Sequence, residues 1–326
     1  MSKSIIINEH GGPEVLKVID TNIGSPGTNE IKIVNKAIGL NFIDTYHRSG
    51  LYPLKLPSGI GMEGSGVVLE IGSDVKNFSV GDSVTYAAPP LGSYSQERII
   101  PESIAIKLPD GLNHKTAASI MTKGLTVYYL LFKTYKVKAG ETILFHAAAG
   151  GVGQIFCQWA KSIGCKIIGT VGSDEKVTVA KKNGCNFVIN YNTESFDKKV
   201  LELTNNEGVS VVYDGVGKKT FAKSIECLKP MGMMVSFGNS SGALEPIDVK
   251  KYIASKSLFF TRPGLTHYVG NRSQLEEASK SLFEEIKYGR IKIETFKEYD
   301  LLDAQKAHED LEARKIIGPA LLIPNE

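Results

Sequence analysis

The sequence predicts an α/β protein with two domains, of which the second is a doubly wound parallel sheet. Short strand patterns separated by glycine turns fill residues 3 to about 108, and strand and helix patterns alternate after about residue 113. Many short strands with little helix indicate a compact barrel-like domain. Alternating β and α segments indicate parallel strands joined by right-handed crossovers. The length of 326 residues is enough for both domains and a large core.

The bulk composition is that of an ordinary globular protein, with 42% hydrophobic and 22% charged residues. The net charge is +3 and the chain has no run of basic residues, so the charge does not indicate binding to nucleic acid or to a membrane surface. No uninterrupted apolar stretch reaches the roughly 18–20 residues that span a bilayer, and the first residues lack the apolar core of a secretory signal. The four cysteines contain no C-x-x-C pair, which argues against a structural zinc or a disulfide framework. We therefore expect reduced thiols and a cytoplasmic protein.

In the first domain, strand patterns are separated by the glycine turns 72–74 and 81–82. A polar and aromatic segment, 41–49, interrupts the strands and is predicted to be a short helix. The predicted strands are 30–34, 64–71, 83–87 and 94–100.

The second domain is predicted to begin with two helices, after which strands and helices alternate in the manner of a doubly wound fold. The tail is expected to return to the first domain. The predicted helices are 114–121, 124–134, 152–163, 176–183, 195–204, 220–228, 274–288 and 302–314, and the predicted strands are 142–146, 166–171, 187–189, 209–213, 233–237, 258–261 and 320–323.

The turn after the strand 142–146 is the strongest functional signal in the chain. It nearly matches G-x-G-x-x-G, with Ala148 in place of the first glycine, followed by Gly150 and Gly153. A buried strand before this turn and an amphipathic helix after it make the match significant. Such a turn directs backbone N–H groups and the positive end of a helix at an anion. It therefore predicts binding of the pyrophosphate of a dinucleotide.

The end of the next parallel strand bears on the choice of dinucleotide. An NAD site usually has an acidic residue here that binds the ribose 2′-hydroxyl. This chain has Gly172 and Ser173 instead, with Lys176 following, and these residues suit the 2′-phosphate of NADP. Asp174 remains an alternative candidate for the acidic residue that binds the ribose, one position later than usual. Tyr191, after the third strand, is predicted either to stack on adenine or to cover the domain core.

Two more strands of this sheet end in glycine-rich segments, 214–217 and 237–242. The carboxyl ends of parallel strands face the ligand crevice. Repeated glycine-rich ends on one edge of the sheet therefore favour a bound cofactor over simple turns.

Several motifs together give the chain a resemblance to a known family. N-F-I-D-T-Y at 41–46, G-M-E-G-S-G at 61–66, K-G-L-T at 123–126, the turn 147–153 and F-G-N-S-S-G at 237–242 are the segments concerned. The chain resembles the zinc-free NADPH:quinone oxidoreductases, the ζ-crystallin-like branch of the medium-chain dehydrogenases/reductases. The resemblance implies a GroES-like β-barrel domain over 1–122 and 290–326, and a Rossmann domain over 123–289 that binds NADPH.

The resemblance also implies which residues surround the cofactor. Those expected at the adenosine and pyrophosphate are Gly151, Val152, Gly172, Ser173, Lys176, Tyr191 and Val216. Those expected at the nicotinamide half or in the cleft between the domains are Asn41, Asp44, Tyr46, Tyr129, Phe237, Asn239, Phe260, Arg262 and Arg314, and Ser240 is also expected to bind the cofactor.

No metal is expected. Metal-binding relatives carry histidine among their ligands, where this chain has Asn41 and Met62, and a catalytic zinc needs three protein ligands. A quinone accepts a hydride readily, so the protein mainly has to orient it. Tyr46 and Tyr52 are the candidates to donate a hydrogen bond or proton to the developing oxyanion.

The sequence thus favours NADPH-dependent reduction of a quinone bound in the cleft between the domains. Reduction of an activated double bond, in an alkenal, an enone or an enoyl thioester, is the alternative on the same fold. A nucleotide-regulated RNA-binding protein is the alternative from another class, although the charge does not favour it. An apolar edge strand at 257–261 predicts a homodimer, because an unpaired edge of this kind promotes aggregation.

Overall fold

The computed structural model describes residues 1–293 and 297–325. By their contacts the residues form two units. The first unit comprises Met1–Leu125, Val269–Phe283 and Ile293–Glu326, and the second unit comprises Thr126–Tyr268 and Glu284–Lys292. The domain boundaries inferred from the sequence, after 122 and before 290, stay a prediction. Residues 294–296 and 326 of the predicted first domain lie outside the described residues.

The first unit is built around one long strand. This strand, β3, pairs antiparallel with β5 on one side and with β7 near its beginning. Alternate side chains of β3, Ile31 and Ile33, are fully buried against Val68, Val84 and Ile100. The strands are β1 Ser2–Ile7, β2 Lys17–Thr21, β3 Glu30–Leu40, β4 Ser58–Gly59, β5 Glu63–Ile71, β6 Ser83–Ala87, β7 Glu97–Pro101 and β8 Ala105–Lys107; helix α1 is Phe42–Ser49, and Pro13–Val15 and Glu102–Ile104 form 3₁₀ turns.

The next helix corrects one prediction. The sequence predicts separate helices at 114–121 and 124–134, but α2 runs without a break over His114–Tyr129 and a π-helical turn, Leu130–Thr134, follows it. Thr122 and Lys123, which the prediction left between the two helices, belong to α2. Lys123 is buried, with its ammonium 3.3 Å from the carboxylate of Glu63.

The second unit contains the predicted doubly wound sheet. All residues of 126–268 are described, and their parallel strands lie in the order β11-β10-β9-β12-β13-β14. Starting from β9, the chain adds β10 and β11 on one side and then β12, β13 and β14 on the other, so the strand order reverses at β9. The strands are β9 Thr142–His146, β10 Lys166–Val171, β11 Phe187–Asn190, β12 Val209–Asp214, β13 Leu228–Ser236 and β14 Phe259–Thr261. The helices are α3 Gly151–Ile163, α4 Asp174–Lys182, α5 Phe196–Leu203, α6 Phe221–Glu226, α7 Val249–Tyr252 and α8 Leu265–Tyr268, with a 3₁₀ turn at Ala254–Lys256.

The tail of the chain completes the sheet of the first unit. The last strand, β16, pairs antiparallel with β3, with Leu321 opposite Gly39. Helix α10 buries Ala304 and Ala307 in the same cluster as Ile38 of β3. The elements are α9 Arg272–Lys287, β15 Lys297–Asp300, a 3₁₀ turn at Leu301–Asp303, α10 Ala304–Glu312 and β16 Ala320–Ile323. Among the described residues, no helix is both long and apolar enough to cross a bilayer.

Candidate functional site

The glycine turn lies between β9 and α3, at the point where the strand order reverses. Ala147 has a φ of 56°, in the left-handed region that non-glycine residues rarely adopt. A Cβ added to Gly153 would lie 2.5 Å from Ala147 O and 2.7 Å from Ala148 Cα, so only glycine fits there. The close approach brings the start of α3 against the end of β9.

Helix α3 therefore begins at the edge of the sheet where a ligand can bind. Its N-cap is Gly150, and its first turn contains Gly151 and Val152. The first N–H groups of a helix have no carbonyl partner within it, and the helix dipole adds a partial positive charge. The rings of Phe145 and Phe156 stack with centroids 4.1 Å apart, which fixes α3 on the sheet. The turn can bind a pyrophosphate with backbone groups alone.

The end of β10 provides a second part of the site. Ser173 is the N-cap of α4, and Lys176 is in the first turn of that helix. A Cβ on Gly172 would lie 2.7 Å from Tyr191 Oη, so the tyrosine side chain covers this glycine. The structure thus brings Gly172, Ser173, Lys176 and Tyr191 to one corner. Asp174, the alternative candidate for the acidic residue that binds a ribose 2′-hydroxyl, accepts a hydrogen bond from Asn190 Nδ2 at 2.8 Å.

The ends of β12 and β13 are held against each other. Fully buried Asp214 accepts hydrogen bonds from the N–H groups of Val216 (2.7 Å) and Gly217 (3.0 Å). Ser240 N donates to Gly215 O at 3.2 Å. The segment after β12 therefore depends on the segment after β13 for its shape.

Arg262 fixes the second of these segments. Its Nη1 donates to Ser236 O (2.7 Å) and Gly238 O (3.2 Å). With the Asn239 amide oriented to satisfy both groups, Asn239 Oδ1 accepts from Arg262 Nη2 at 2.9 Å and Nδ2 donates to Gly238 O at 3.0 Å. Phe237, Asn239, Ser240 and Arg262 are thereby brought together.

Three predicted site residues have other surroundings. Phe260, on β14, meets Phe221 edge-on at 6.0 Å and packs on the core of the second unit. Tyr129, at the end of α2, stacks on Tyr268 with centroids 4.6 Å apart. Arg314 is exposed just after α10 and has a φ of 60°. Their roles toward a cofactor stay predictions.

In the first unit, Asn41 belongs to a buried polar cluster. Its Nδ2 donates to Glu63 Oε2 (2.7 Å), and its Oδ1 accepts from Lys123 Nζ (2.8 Å). Glu63 is fully buried and also accepts from Thr122 N at 2.7 Å. Asn41 is in addition the N-cap of α1. One neutral amide thus connects a buried carboxylate with a buried ammonium.

Tyr46 and Tyr52 lie next to each other in the first unit. Their rings meet edge-on with centroids 5.2 Å apart, and Tyr52 N donates to Tyr46 O at 3.1 Å. His47 packs edge-on against Tyr52, and burial lowers its pKa, so it is neutral at physiological pH. The structure therefore brings the two predicted proton donors together.

Sequence reasoning gave no role to the buried partners of this region, Glu63, Tyr94, Lys123 and His308. A signal was available for most of them. Lys123 stands among fully buried apolar residues of α2, and His308 follows buried Ala307 on the apolar face of α10. An ionisable residue within an apolar pattern indicates a buried polar network.

Known sequence families match both parts of the chain. The alcohol dehydrogenase GroES-like domain matches residues 27–110, and a family described as zinc-binding dehydrogenase matches residues 151–284. A GroES-like domain together with a Rossmann sheet defines a medium-chain dehydrogenase/reductase.

Full-length relatives narrow the family. The chain is 50% identical to quinone oxidoreductase 1 of Escherichia coli, over 99% of this chain and 100% of that protein. It is 43% identical to a 2-haloacrylate reductase of a Burkholderia species, over 99% of each chain. A crystal structure of E. coli quinone oxidoreductase complexed with NADPH superposes with a TM-score of 0.97 at 49% identity, covering 99% of this chain and 100% of that one. The chain belongs to the quinone oxidoreductase family.

The donor groups around Asn41 do not suit the catalytic zinc that the name of one matched family implies. Positions 41 and 62 hold an amide and a thioether, and Lys123 Nζ stands 2.8 Å from Asn41 Oδ1. An ammonium there would repel a divalent cation. Within 1–293 and 297–325, no group of three His, Cys, Asp or Glu residues could hold a metal ion.

Proposed function

We propose that this protein reduces quinones with NADPH in a reaction that uses no metal. The observation behind the choice of cofactor is the corner formed by Gly172, Ser173, Lys176 and Tyr191, which offers a hydroxyl and an ammonium for a 2′-phosphate. The E. coli relative of known structure is described as a complex with NADPH.

The glycine turn and the three other strand ends suit this cofactor. Backbone N–H groups at Gly151 and Val152 bind the pyrophosphate, and Val216 lines the same edge of the sheet. NADPH, when bound, supplies the hydride. The residues proposed for its nicotinamide half are Asn41, Asp44, Tyr46, Tyr129, Phe237, Asn239, Ser240, Phe260, Arg262 and Arg314.

For the quinone, Tyr46 and Tyr52 are the proposed hydrogen-bond donors. Each phenol can stabilise the oxyanion that forms as the quinone accepts a hydride. Tyr46 is 8% exposed and Tyr52 is half-buried, so both side chains are partly shielded from water. Tyr46→Phe and Tyr52→Phe should each lower kcat about tenfold if the phenol donates in the transition state.

Steady-state oxidation of NADPH with a soluble benzoquinone tests the proposal, with NADH for comparison. Lys176→Met should raise the KM for NADPH about tenfold and leave the KM for NADH unchanged, since a lost charged hydrogen bond costs about 1.5–3 kcal/mol. Lys181→Met, in the last turn of the same helix and exposed, is the matched control. Absence of turnover with every quinone, or an equal effect of Lys176→Met on both cofactors, contradicts the proposal.

A second candidate function is reduction of an activated double bond, which the 43% identity to a 2-haloacrylate reductase favours. Such a reaction delivers the hydride to one carbon and a proton to its neighbour, so it depends more strongly on a proton donor. The same assay with an enone or a 2-haloacrylate separates the two. A higher kcat/KM for these acceptors than for any quinone would establish reduction of activated double bonds as the function.

The proposal extends to a cytoplasmic homodimer without a nucleic-acid partner. Strand β14 is the edge of its sheet, and Phe259 on it is 59% exposed. Pairing with a second copy would cover this edge. The four cysteines are buried free thiols, which suits a reducing compartment, and the net charge of +3 does not favour nucleic acid. Light scattering at micromolar concentration should give a dimer mass, and a monomer mass contradicts this.

A further inference from the structure

His146 is the last residue of β9, and the glycine turn begins directly after it. Its imidazole is fully buried, and both ring nitrogens have partners. Nδ1 lies 2.8 Å from Thr170 Oγ1 on β10, and Nε2 lies 2.8 Å from Ser224 Oγ on α6. One side chain thus connects the end of β9 with the neighbouring strand and with the helix that follows β12.

The groups beyond Ser224 determine the direction of these hydrogen bonds. The Ser224 hydroxyl lies 2.9 Å from Thr220 O and 3.4 Å from Asp214 Oδ2, and both of these oxygens can only accept. Its single proton is donated to them, so Ser224 Oγ accepts from Nε2–H of His146. Burial lowers the pKa of His146 against the opposing charge of Asp214, so the ring is neutral at physiological pH. Nδ1 of the neutral ring then accepts from the Thr170 hydroxyl.

Thr170 holds the strained residue of the glycine turn from both sides. Ala147, with its φ of 56°, lies between His146 and Ala148. The Thr170 hydroxyl donates to the ring that precedes this residue, and the Thr170 carbonyl accepts from Ala148 N, which follows it, at 3.0 Å. A strained backbone conformation persists only where the surrounding structure fixes it. Ala147 O accepts from Gly150 N at 2.9 Å, so the start of α3 depends on this arrangement.

On its other side the ring is connected to the segment after β12. Ser224 bonds to the Asp214 carboxylate, and the other oxygen of that carboxylate fixes the N–H groups of Val216 and Gly217. Thr170, for its part, lies two residues before the corner proposed for the 2′-phosphate. The three strand ends from which residues are proposed to bind the adenosine and pyrophosphate are therefore joined through one imidazole.

We propose that His146 is a positioning residue for NADPH, and that it holds the glycine turn and the segment after β12 in the arrangement that binds the pyrophosphate. This inference rests on the proposed function for the place of the cofactor. The fully buried ring leaves no surface for the cofactor to contact, so it acts through the backbone of Ala147 and through Ser224. NADPH and NADH share the pyrophosphate. Loss of the imidazole should therefore weaken both nucleotides equally, whereas loss of Lys176 should weaken NADPH alone.

Fluorescence titration of NADPH and of NADH into the whole protein tests this without turnover, at a temperature at which every variant is folded. His146→Phe keeps an aromatic ring but removes both hydrogen bonds, and should raise the Kd of both nucleotides about tenfold. His146→Asn keeps an acceptor near the position of Nδ1 and should raise both Kd values only about threefold. Thr170→Val removes the hydroxyl and keeps the carbonyl that binds Ala148 N, so about threefold is expected again.

Thr204→Val is the matched control within the same unit. The Thr204 hydroxyl donates to Val200 O at 2.8 Å and accepts from Gly208 N at 3.1 Å, just before β12 begins and thus at the opposite end of that strand. This variant should lower Tm and leave both Kd values unchanged. A role of His146 in stability alone would make His146→Phe behave in the same way. Unchanged Kd values in His146→Phe, or a rise for NADPH without one for NADH, overturn the inference.

The proposal can be tested even where His146→Phe does not fold, because Thr170→Val then decides: unchanged Kd values in that variant overturn the inference. Binding is also measured apart from catalysis. A protein without quinone turnover whose Kd values rise in these variants would contradict the proposed reaction and support the positioning role. Quinone turnover together with unchanged Kd values in both variants would remove the positioning role and leave the proposed function standing.

Discussion

Removal of the Lys123 ammonium should destabilise the protein more than removal of any exposed lysine. Lys123→Met keeps most of the apolar stem but leaves the Glu63 carboxylate, 0% exposed, without its cation. Loss of one partner of a buried ion pair costs about 3–5 kcal/mol. Glu63 would retain hydrogen bonds from Thr122 N and Asn41 Nδ2, both 2.7 Å, which places the expected loss near the lower end, about 3 kcal/mol.

A double-mutant cycle separates the pair from its surroundings. Lys123→Met with Glu63→Gln removes both charges, so the double variant should lose only about 1 kcal/mol, less than Lys123→Met alone. The matched control is Lys115→Met, whose partner Glu298 is at 2.8 Å with both side chains more than 40% exposed. An exposed pair of this kind contributes less than about 1 kcal/mol.

The free energy of unfolding, from urea titration followed by circular dichroism, provides the measurement. If Lys123→Met costs no more than Lys115→Met, the ammonium is not buried with Glu63 and the argument is wrong. A double variant that is as unstable as Lys123→Met would mean that packing, and not charge, is responsible.

Three other predictions concern the glycine turn and the buried carboxyl. Ala147→Gly should raise the free energy of unfolding by about 1 kcal/mol, because φ is 56° and the side chain is exposed; an unchanged urea midpoint would contradict the strain. Gly153→Ala should cost several kcal/mol, because its Cβ would meet backbone at 2.5 Å, whereas Gly150→Ala, with one neighbour at 3.2 Å, should unfold nearly like the wild type. Thermal unfolding distinguishes the pair, and equal Tm values would refute the packing argument.

The last of the three concerns pH. The pKa of Asp44 is about 7 in the folded protein and near 3.8 when exposed, so the folded state binds more protons between these values and stability falls as the pH rises from about 4 to 7. Asp44→Asn should lose this decline, which urea titrations at pH 5 and pH 8 would reveal; identical slopes in both proteins would rule out the raised pKa.

The sequence by itself determined the class of fold and predicted the edge of the second unit at which a cofactor binds. Strands β6, β9 and β10 begin and end where the sequence predicts them. Residues that bind a dinucleotide phosphate are close together along the chain, since a strand, its turn and the following helix form one continuous segment. Local pattern is sufficient for such a site.

Only the tertiary structure decided the polar network of the first unit. Arg48 and Glu312 are separated by 264 residues, and Tyr94 and His308 by 214. No pattern along the chain relates such residues, and the buried partner of Lys123, Glu63, is 60 residues away along the chain. A buried ionisable group depends on what surrounds it in space, because desolvation and neighbouring charges decide its pKa. The sequence therefore predicted where a cofactor can bind, and the packing of distant segments decided which groups can hold a proton beside Asn41.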